Sequence, residues 1–218
     1  MNYGRLIPLE GPDTAGKSTI IEKLKTALPL IYPNETFLFT REPGNLLRGA
    51  YNKSETIRDR LLTDSSLTAE EQAKLFAESR YYHTIDIIKQ LQQGHNVITD
   101  RYLFSSVLYQ GLELGFDKIL EINNNSLKLL KENNIKINNI VLQITSDTYK
   151  QRMANKEKDA MENVEERKAL DRVMYHQLVR KVNEELDNKL GNIYTVNANA
   201  KPEDVLMETL NHIHKIIR

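Results

Sequence analysis

The chain has 218 residues, with 30 Lys and Arg against 30 Asp and Glu, and it contains no cysteine. This length fits one ordinary domain, and a net charge of zero provides no overall positive field for nucleic acid or an anionic membrane. The absence of cysteine excludes disulfides and thiolate zinc sites. No apolar run approaches the ~20 residues of a membrane span, and the first five residues lack a signal-peptide core, so the sequence predicts a soluble cytoplasmic protein.

The first motif follows an apolar run at residues 6–9 and fits the pattern G-x-x-x-x-G-K-[ST] at every fixed position. Its residues are Gly11, Pro12, Asp13, Thr14, Ala15, Gly16, Lys17 and Ser18. Glycines let successive backbone N–H groups turn inward around a polyphosphate, and a helix beginning at Lys17 adds its positive end. Lys17 is expected to lie in solvent and to reach the terminal phosphates of ATP, and the Ser18 hydroxyl is expected to bind Mg²⁺. The alternative is a strand, a glycine turn and a helix with an exposed lysine.

Short apolar runs alternate with longer helical patterns along the chain, which is typical of a parallel sheet covered by helices. The predicted strands are residues 5–10, 35–40, 96–99, 140–145 and 192–196. Ligands bind beside the carboxyl ends of parallel strands, so the residues that follow each strand are candidate site residues. After the phosphate-binding motif these are Arg41-Glu42, Asp100-Arg101, Ser146-Asp147 and Asn197. The sequence therefore predicts one α/β domain, residues 1–218, with a parallel five-stranded sheet.

The third predicted strand ends in Asp100, a position at which phosphate-loop enzymes hold magnesium or its water. An acid at this place can also cap a turn or a helix. Arg101 comes next, and because an unpaired buried cation is unfavourable, its expected partner is an anionic group of the substrate. The two residues are therefore candidates for binding metal and substrate, respectively.

A long helix is predicted to begin with a capping box formed by Thr68 and Glu71. Its predicted core stripe is Ala77, Tyr81, Ile85, Ile88 and Leu91. On the neighbouring face, Phe76 offers a ring and Arg80 a planar set of donors one turn later, which suits a flat heterocycle with carbonyl oxygens. The alternative is a Phe at the core margin and a solvated Arg. His83 shares this face and is expected to be structural.

These motifs resemble those of the thymidylate kinases, within the nucleoside monophosphate kinase group, from about residue 6 to about residue 205. The resemblance rests on residues 9–19 (LEGPDTAGKST), 40–44 (TREPG), 75–80 (LFAESR) and 100–102 (DRY), followed by Ser105, Ser106, Tyr109, Gln110 and Gly111. Many unrelated enzymes share the phosphate loop, whereas the four motifs in this order are specific to the family. Residues 196–199 (VNAN) resemble the family's loop beside the adenine and add weaker support.

The resemblance implies a phosphate-loop kinase fold with a short lid, and transfer of a phosphoryl group from ATP to dTMP with Mg²⁺. It implies that residues 11–19, which end in Thr19, bind ATP together with Asn197. It also implies a homodimer that binds these two small molecules. The balanced charge predicts that neither nucleic acid nor a membrane is a partner.

On the acceptor side, the resemblance implies that Asp13 contacts the sugar and phosphate region of dTMP. The arginines implied to grip the acceptor phosphate are Arg41, Arg58 and Arg101. The residues implied to surround the base are Phe76, which stacks on it, Arg80, which hydrogen-bonds a carbonyl, and Ser106 and Gln110. Tyr109 is implied to stand where a ribose 2′-hydroxyl would lie.

Two departures from the family bear on the acceptor. Asn45 stands where the family often has glycine, in a segment, 45–54, that is longer than usual, and Leu108 replaces a common Ala near the base pocket. Discrimination of a methylene in an apolar pocket is worth only ~1 to 3 kcal/mol, so another or modified deoxynucleotide, or a deoxynucleoside, remains the alternative acceptor. An alternative from a different class is a phosphate-loop switch or a catalytically silent nucleotide binder. The sequence contains no Asn-Lys-x-Asp guanine motif, which disfavours a GTPase.

Enzymes of this family supply an arginine to the transferred phosphoryl group from the phosphate loop or from the lid. Thr14 occupies the loop position, so the lid, expected within residues 152–163, is predicted to provide the cation. Lid-type members carry Asp-Arg, an apolar residue and Glu, where this chain has residues 159–162 (DAME). Arg152 is the predicted substitute. The alternatives are Lys156, Lys158, Arg167 and a solvated charged face with no catalytic role.

Overall fold

The computed structural model describes residues 3–44, 46, 53–154 and 190–218. Five strands form one sheet in the order β2-β3-β1-β4-β5, and every neighbouring pair is parallel. The strands are β1 (Leu6–Glu10), β2 (Phe37–Arg41), β3 (Asn96–Asp100), β4 (Asn138–Gln143) and β5 (Asn192–Asn197). The predicted α/β fold with a parallel five-stranded sheet is confirmed, and each strand end lies within two residues of its predicted position.

Helices pack on both faces of the sheet, because successive side chains of a strand point to opposite sides. Leu6 of β1 belongs to one hydrophobic cluster, and its neighbour Ile7 belongs to the other. The described helices are α1 (Lys17–Ile31), α2 (Lys53–Thr63), α3 (Ala69–Gln92), α4 (Leu103–Tyr109), α5 (Gly111–Leu114), α6 (Phe116–Ile122), α7 (Asn124–Glu132), α8 (Ser146–Ala154) and α9 (Pro202–Ile217). Within the described ranges, none of these helices is both long and apolar enough to cross a membrane.

The capping box of α3 is present: the Thr68 side chain accepts from the Glu71 backbone, and the Glu71 side chain accepts from the Thr68 backbone. The predicted core stripe of this helix is partly wrong. Tyr81 and Ile85 are only half-buried. The buried positions are Ala73, Ala77, Ser79, Arg80, His83, Thr84, Ile87, Ile88 and Leu91. The buried face therefore passes through polar residues, which an apolar pattern cannot reveal.

All five strands run in the same direction, so their carboxyl ends meet at one edge of the sheet. The phosphate-binding motif, Arg41, Asp100 and Asn197 lie at or just beyond these ends. Leu108, the departure noted near the base pocket, is fully buried in the core cluster that contains Tyr102 and Val107.

Candidate active site

The loop after β1 has the backbone that a phosphate cradle requires. Gly16, directly before α1, has a φ of 93°, and Gly11 has a φ of 150°. A Cβ on Gly11 would lie 2.8 Å from the carbonyl oxygen of Leu142, so this position excludes any side chain. Thr14 adopts a φ of 63°, which is uncommon for a residue other than glycine and concentrates at functional sites.

The Lys17 ammonium lies inside this loop, where it donates to the carbonyl oxygens of Gly11 and Pro12, both at 2.9 Å. The expectation that Lys17 lies in solvent is wrong, because the residue is only 8% exposed. Burial, and secondarily the charge of Arg101, lower the pKa of Lys17 to about 8. A phosphate ligand would supply the negative charge that stabilises this buried ammonium.

Arg101 joins the phosphate loop to α4. Its guanidinium forms an ion pair with Asp13 and donates to the Gly11 carbonyl oxygen at 3.1 Å. It also donates to the hydroxyls of Ser105 at 3.2 Å and Tyr109 at 3.4 Å. The φ of Arg101 is 67°, a conformation that surrounding contacts must hold in place. The structure thus brings together three of the predicted site residues, Asp13, Arg101 and Tyr109.

Glu10, the last residue of β1, is a buried acid beside this cluster. Its carboxylate accepts from the Tyr102 backbone N–H at 2.7 Å and from the Ser105 hydroxyl. Burial raises the pKa of Glu10 to about 7, although the Ser105 hydrogen bond and the charge of Arg101 oppose the rise. Glu10 was not among the site residues predicted from the sequence. Its signal was an acid closing an otherwise apolar strand directly before the first glycine of the motif.

The raised pKa of Glu10 makes the stability of the protein depend on pH. From about pH 4.5 to about pH 7 the folded state retains a proton that the unfolded state has lost. Below about pH 4.5, proton binding by Glu10 contributes on the order of 3 kcal/mol to the free energy of unfolding. This contribution is lost as the pH rises through 7. Urea unfolding of Glu10→Gln is expected to show a flatter pH profile than the wild type. Glu22→Gln, which changes an exposed acid of α1, is the control, and identical profiles for Glu10→Gln and wild type would contradict this assignment.

Arg41 and Arg58, predicted to grip the acceptor phosphate, approach each other near the loop after β2. Arg41 ends β2 and is exposed, and Arg58 on α2 donates to the Pro43 carbonyl oxygen at 2.7 Å. Burial, and then the charge of Arg41, lower the pKa of Arg58. The positive charges of Arg41 and Arg58 repel each other, and a dianion bound to both would stabilise them.

Arg80, predicted to read the base, is 2% exposed. Its Nε donates to Glu42 at 2.8 Å, and its terminal nitrogens donate to Asn123 and, at 2.9 Å, to the Ser106 hydroxyl. The alternative of a solvated Arg80 is therefore wrong. His83 is buried between Thr40, at 3.0 Å, and Glu42, at 3.4 Å, which agrees with a structural role. Asn123 was missed, and Glu42, a candidate at the end of the second strand, was not predicted to pair with Arg80, because both contacts cross large distances in the sequence.

The remaining predicted residues lie around this cluster. Phe76 is half-buried one turn before Arg80 on α3, Gln110 follows α4, and Asn197 ends β5. Within the described residues, three buried side-chain oxygens at the site have no hydrogen-bond partner: Thr14 Oγ1, Asp100 Oδ1 and Gln110 Oε1. Because buried polar atoms are usually paired, these atoms are candidates for ligand contacts.

Arg152, the predicted lid cation, lies on α8 against the phosphate loop. Its two terminal nitrogens donate to the carbonyl oxygens of Thr14, at 3.1 Å, and Ala198, at 2.8 Å. It therefore bridges the phosphate loop and the segment that follows Asn197. The rest of the predicted lid, with Lys156 and Lys158, and also Arg167, lies outside the described residues.

The oxygen ligands predicted for Mg²⁺ fit that ion. Ser18 is exposed in the first turn of α1, and Asp100 Oδ1 is unpaired within the described residues. Hydroxyl and carboxylate oxygens are ligands that Mg²⁺ accepts, and this ion usually keeps waters and substrate phosphates in its shell. The described residues contain no cluster of three or more His, Cys, Asp or Glu that could hold a metal by itself. These donors fit an ion that binds together with the nucleotide phosphates.

A family model described as thymidylate kinase matches residues 9–209. The chain belongs to the thymidylate kinase family. The resemblance identified from the sequence motifs is thereby confirmed.

Individual thymidylate kinases agree with this membership. The chain is 30% identical to thymidylate kinase of Oenococcus oeni over 100% of its own length and 99% of that protein. It is 45% identical to thymidylate kinase of Mycoplasma mobile over a shorter stretch, 54% of this chain and 56% of that protein. A crystal structure of thymidylate kinase from Ehrlichia chaffeensis matches with a TM-score of 0.67 at 21% identity, covering 97% of this chain and 99% of that one. This structural likeness confirms the phosphate-loop kinase fold.

Proposed function

We propose that this member of the thymidylate kinase family transfers the terminal phosphoryl group of ATP to dTMP, giving dTDP and ADP. The observation that carries the proposal is the contact between two sites: Arg101, a predicted acceptor ligand, is bonded to Asp13 and Gly11 of the phosphate loop. A donor phosphate in the loop and an acceptor phosphate on Arg101 would therefore be neighbours, as direct transfer requires.

The donor side consists of residues 11–19. Backbone N–H groups of the loop and the positive end of α1 hold the phosphates, and the Lys17 ammonium moves its hydrogen bonds from loop carbonyls to phosphate oxygens. Asn197, at the end of β5, lies beside the adenine. Ser18 and Asp100 would hold Mg²⁺, which would neutralise charge on the phosphates.

The acceptor side consists of the arginine group and the base pocket. Arg41, Arg58 and Arg101 hold the phosphate, and Asp13 orients Arg101. Phe76 stacks on the thymine, and Tyr109 blocks the position of a ribose 2′-hydroxyl. The side chains that hydrogen-bond the base are Arg80, Ser106 and Gln110.

No side chain needs to act as nucleophile in this reaction. An oxygen of the dTMP phosphate forms the new bond to the γ-phosphorus of ATP, and the bond from that phosphorus to the β-phosphate oxygen breaks to release ADP. Lys17, Arg101 and Arg152 stabilise the charge that develops on the transferred group. Catalysis is therefore positioning and electrostatic stabilisation.

A coupled assay of ADP release tests the function directly. We expect ADP to form at a high rate with dTMP, and much more slowly without an acceptor or with dCMP, dAMP, dGMP or thymidine. Faster turnover with another deoxynucleotide or with a nucleoside would move the activity to that acceptor. ADP release that no acceptor stimulates would indicate a phosphate-loop switch or a silent nucleotide binder.

The homodimer predicted from the family resemblance is part of this proposal, and sedimentation equilibrium would test it. A cytoplasmic location stays a prediction from the sequence.

A further inference from the structure

The guanidinium of Arg80 is hydrogen-bonded at each of its three nitrogens. Nε donates to Glu42 at 2.8 Å, one terminal nitrogen donates to Asn123 Oδ1, and the other donates to Ser106 Oγ at 2.9 Å. The Arg80 guanidinium also lies over the Tyr102 ring, with 5.7 Å from Cζ to the ring centroid. A planar group held at three corners and on one face has little freedom to turn.

These contacts determine which donors of Arg80 remain for a ligand. An arginine side chain carries five N–H bonds, one on Nε and two on each terminal nitrogen. Three of them are used within the described part of the chain, which leaves one on each terminal nitrogen. Both remaining groups are donors, so a ring carbonyl can pair with them and a ring amino group cannot.

Asn123 is a neutral residue in this network, at the junction of α6 and α7. It is 2% exposed, and its amide nitrogen donates to the Ile119 carbonyl oxygen at 2.8 Å. That hydrogen bond assigns the orientation of the amide, because it directs the nitrogen to Ile119 and leaves the oxygen for Arg80. Asn123 thus connects the Arg80 guanidinium to the backbone of α6.

We propose that Asn123 is a positioning residue that sets base specificity by holding Arg80 in one orientation. The residue does not read the base itself. It keeps the two remaining Arg80 donors fixed, so that a pyrimidine carbonyl is accepted and an amino group at the same place leaves them unpaired. The inference rests on the proposed function, because it takes Arg80 as the residue that reads the thymine.

A substitution of Asn123 tests the hydrogen bonds of Arg80 more specifically than a substitution of Glu42 does. Removing Glu42 would leave the buried Arg80 charge without its counter-ion, and a broken buried ion pair destabilises a protein strongly. Replacing Asn123 leaves the ion pair intact and removes one neutral acceptor. A change in specificity can then be separated from loss of the fold.

The experiment compares kcat/KM for dTMP and for dCMP, which carries an amino group in place of a thymine carbonyl. Asn123→Ala is expected to raise KM for dTMP and to lower the dTMP-to-dCMP preference, each by about 10-fold or more, with KM for ATP within about twofold of wild type. Asn123→Asp retains an oxygen acceptor for Arg80 but loses the donor to the Ile119 carbonyl oxygen, so it is expected to be less stable and to keep the preference within about threefold of wild type.

Asn139→Ala is the matched control. Asn139 is also buried, at 1% exposure, but its amide donates to the carbonyl oxygens of Leu190 and Asn192, away from Arg80. This variant is expected to be less stable with an unchanged preference. If Asn123→Ala does not fold, Asn123→Ser is the second variant, because its hydroxyl is too short to replace the amide oxygen at Arg80, and the same fall is expected.

The possible failures are distinguishable. Wild-type protein that does not phosphorylate dTMP would overturn the proposed function and this inference together. Wild-type protein that phosphorylates dTMP, with an unchanged preference in Asn123→Ala, would overturn the inference alone. A preference that falls equally in Asn139→Ala would also overturn it, since the effect would then follow from lost stability.

Discussion

Replacing Lys17 with alanine is expected to lower kcat by about 10³-fold or more. The ammonium lies within the phosphate loop, 2.9 Å from two backbone carbonyl oxygens, and its charge is partly disfavoured by burial. Despite these hydrogen bonds the buried charge gains little net stabilisation before the nucleotide binds, and phosphate charge in the transition state is expected to stabilise it strongly. A coupled assay of ADP release with saturating ATP and dTMP measures the effect.

The Lys17→Ala variant is expected to remain folded, although for a different reason from the solvent exposure predicted from the sequence. The substitution removes the donor to the Gly11 and Pro12 carbonyls, and it also removes a desolvated charge, so the two effects on stability oppose each other. Circular dichroism would verify the fold. Lys23→Ala, which changes a partly exposed lysine of the same helix, is the control and should retain normal turnover. A Lys17→Ala enzyme with near-normal kcat would remove the phosphate loop from the mechanism.

Replacing Arg152 with methionine is expected to lower kcat by at least about 10²-fold with little change in either KM. The phosphate loop carries Thr14 at the place of a catalytic arginine, and Arg152 donates to the backbone of that same residue at 3.1 Å. In the proposed reaction we expect this guanidinium to reach the transferred phosphoryl group. Steady-state kinetics with each substrate varied in turn would measure the three constants.

The contacts of Arg152 define a second role that the same kinetics would detect. Arg152 also donates to the Ala198 carbonyl oxygen, so it connects the two segments proposed to hold ATP. A raised KM for ATP with normal kcat would mean that Arg152 only connects these segments. Lys150→Met, an exposed position on the same helix, is the control. A large loss in Lys156→Met or Lys158→Met, with a silent Arg152→Met, would assign the catalytic cation to that lysine.

The strands and the phosphate loop were predictable because their signals are local. A short apolar run bounded by turn residues is the local signal of a buried strand in a parallel sheet, and the glycine pattern specifies its own backbone. The carboxyl ends of these strands then place Arg41, Asp100 and Asn197 at one edge. The motifs also identified the family.

The buried face of α3 could not be predicted in the same way. The apolar pattern selected Tyr81 and Ile85, whereas the buried face includes Arg80 and Thr84. Arg80 is buried because Glu42 and Asn123 reach it from positions 38 and 43 residues away. Composition and periodicity contain no information about such partners.

The sequence by itself determined the five strands along the chain, the phosphate loop and the family, because each depends on residues that are close together in the chain. Only the tertiary structure decided which polar groups are buried, among them Glu10, Lys17 and Arg80. A polar side chain leaves water only where partners replace its hydrogen bonds, and the Glu10 partners, Tyr102 and Ser105, lie 92 and 95 residues further along the chain. The charge and orientation of the groups at the site therefore depend on contacts that exist only after folding.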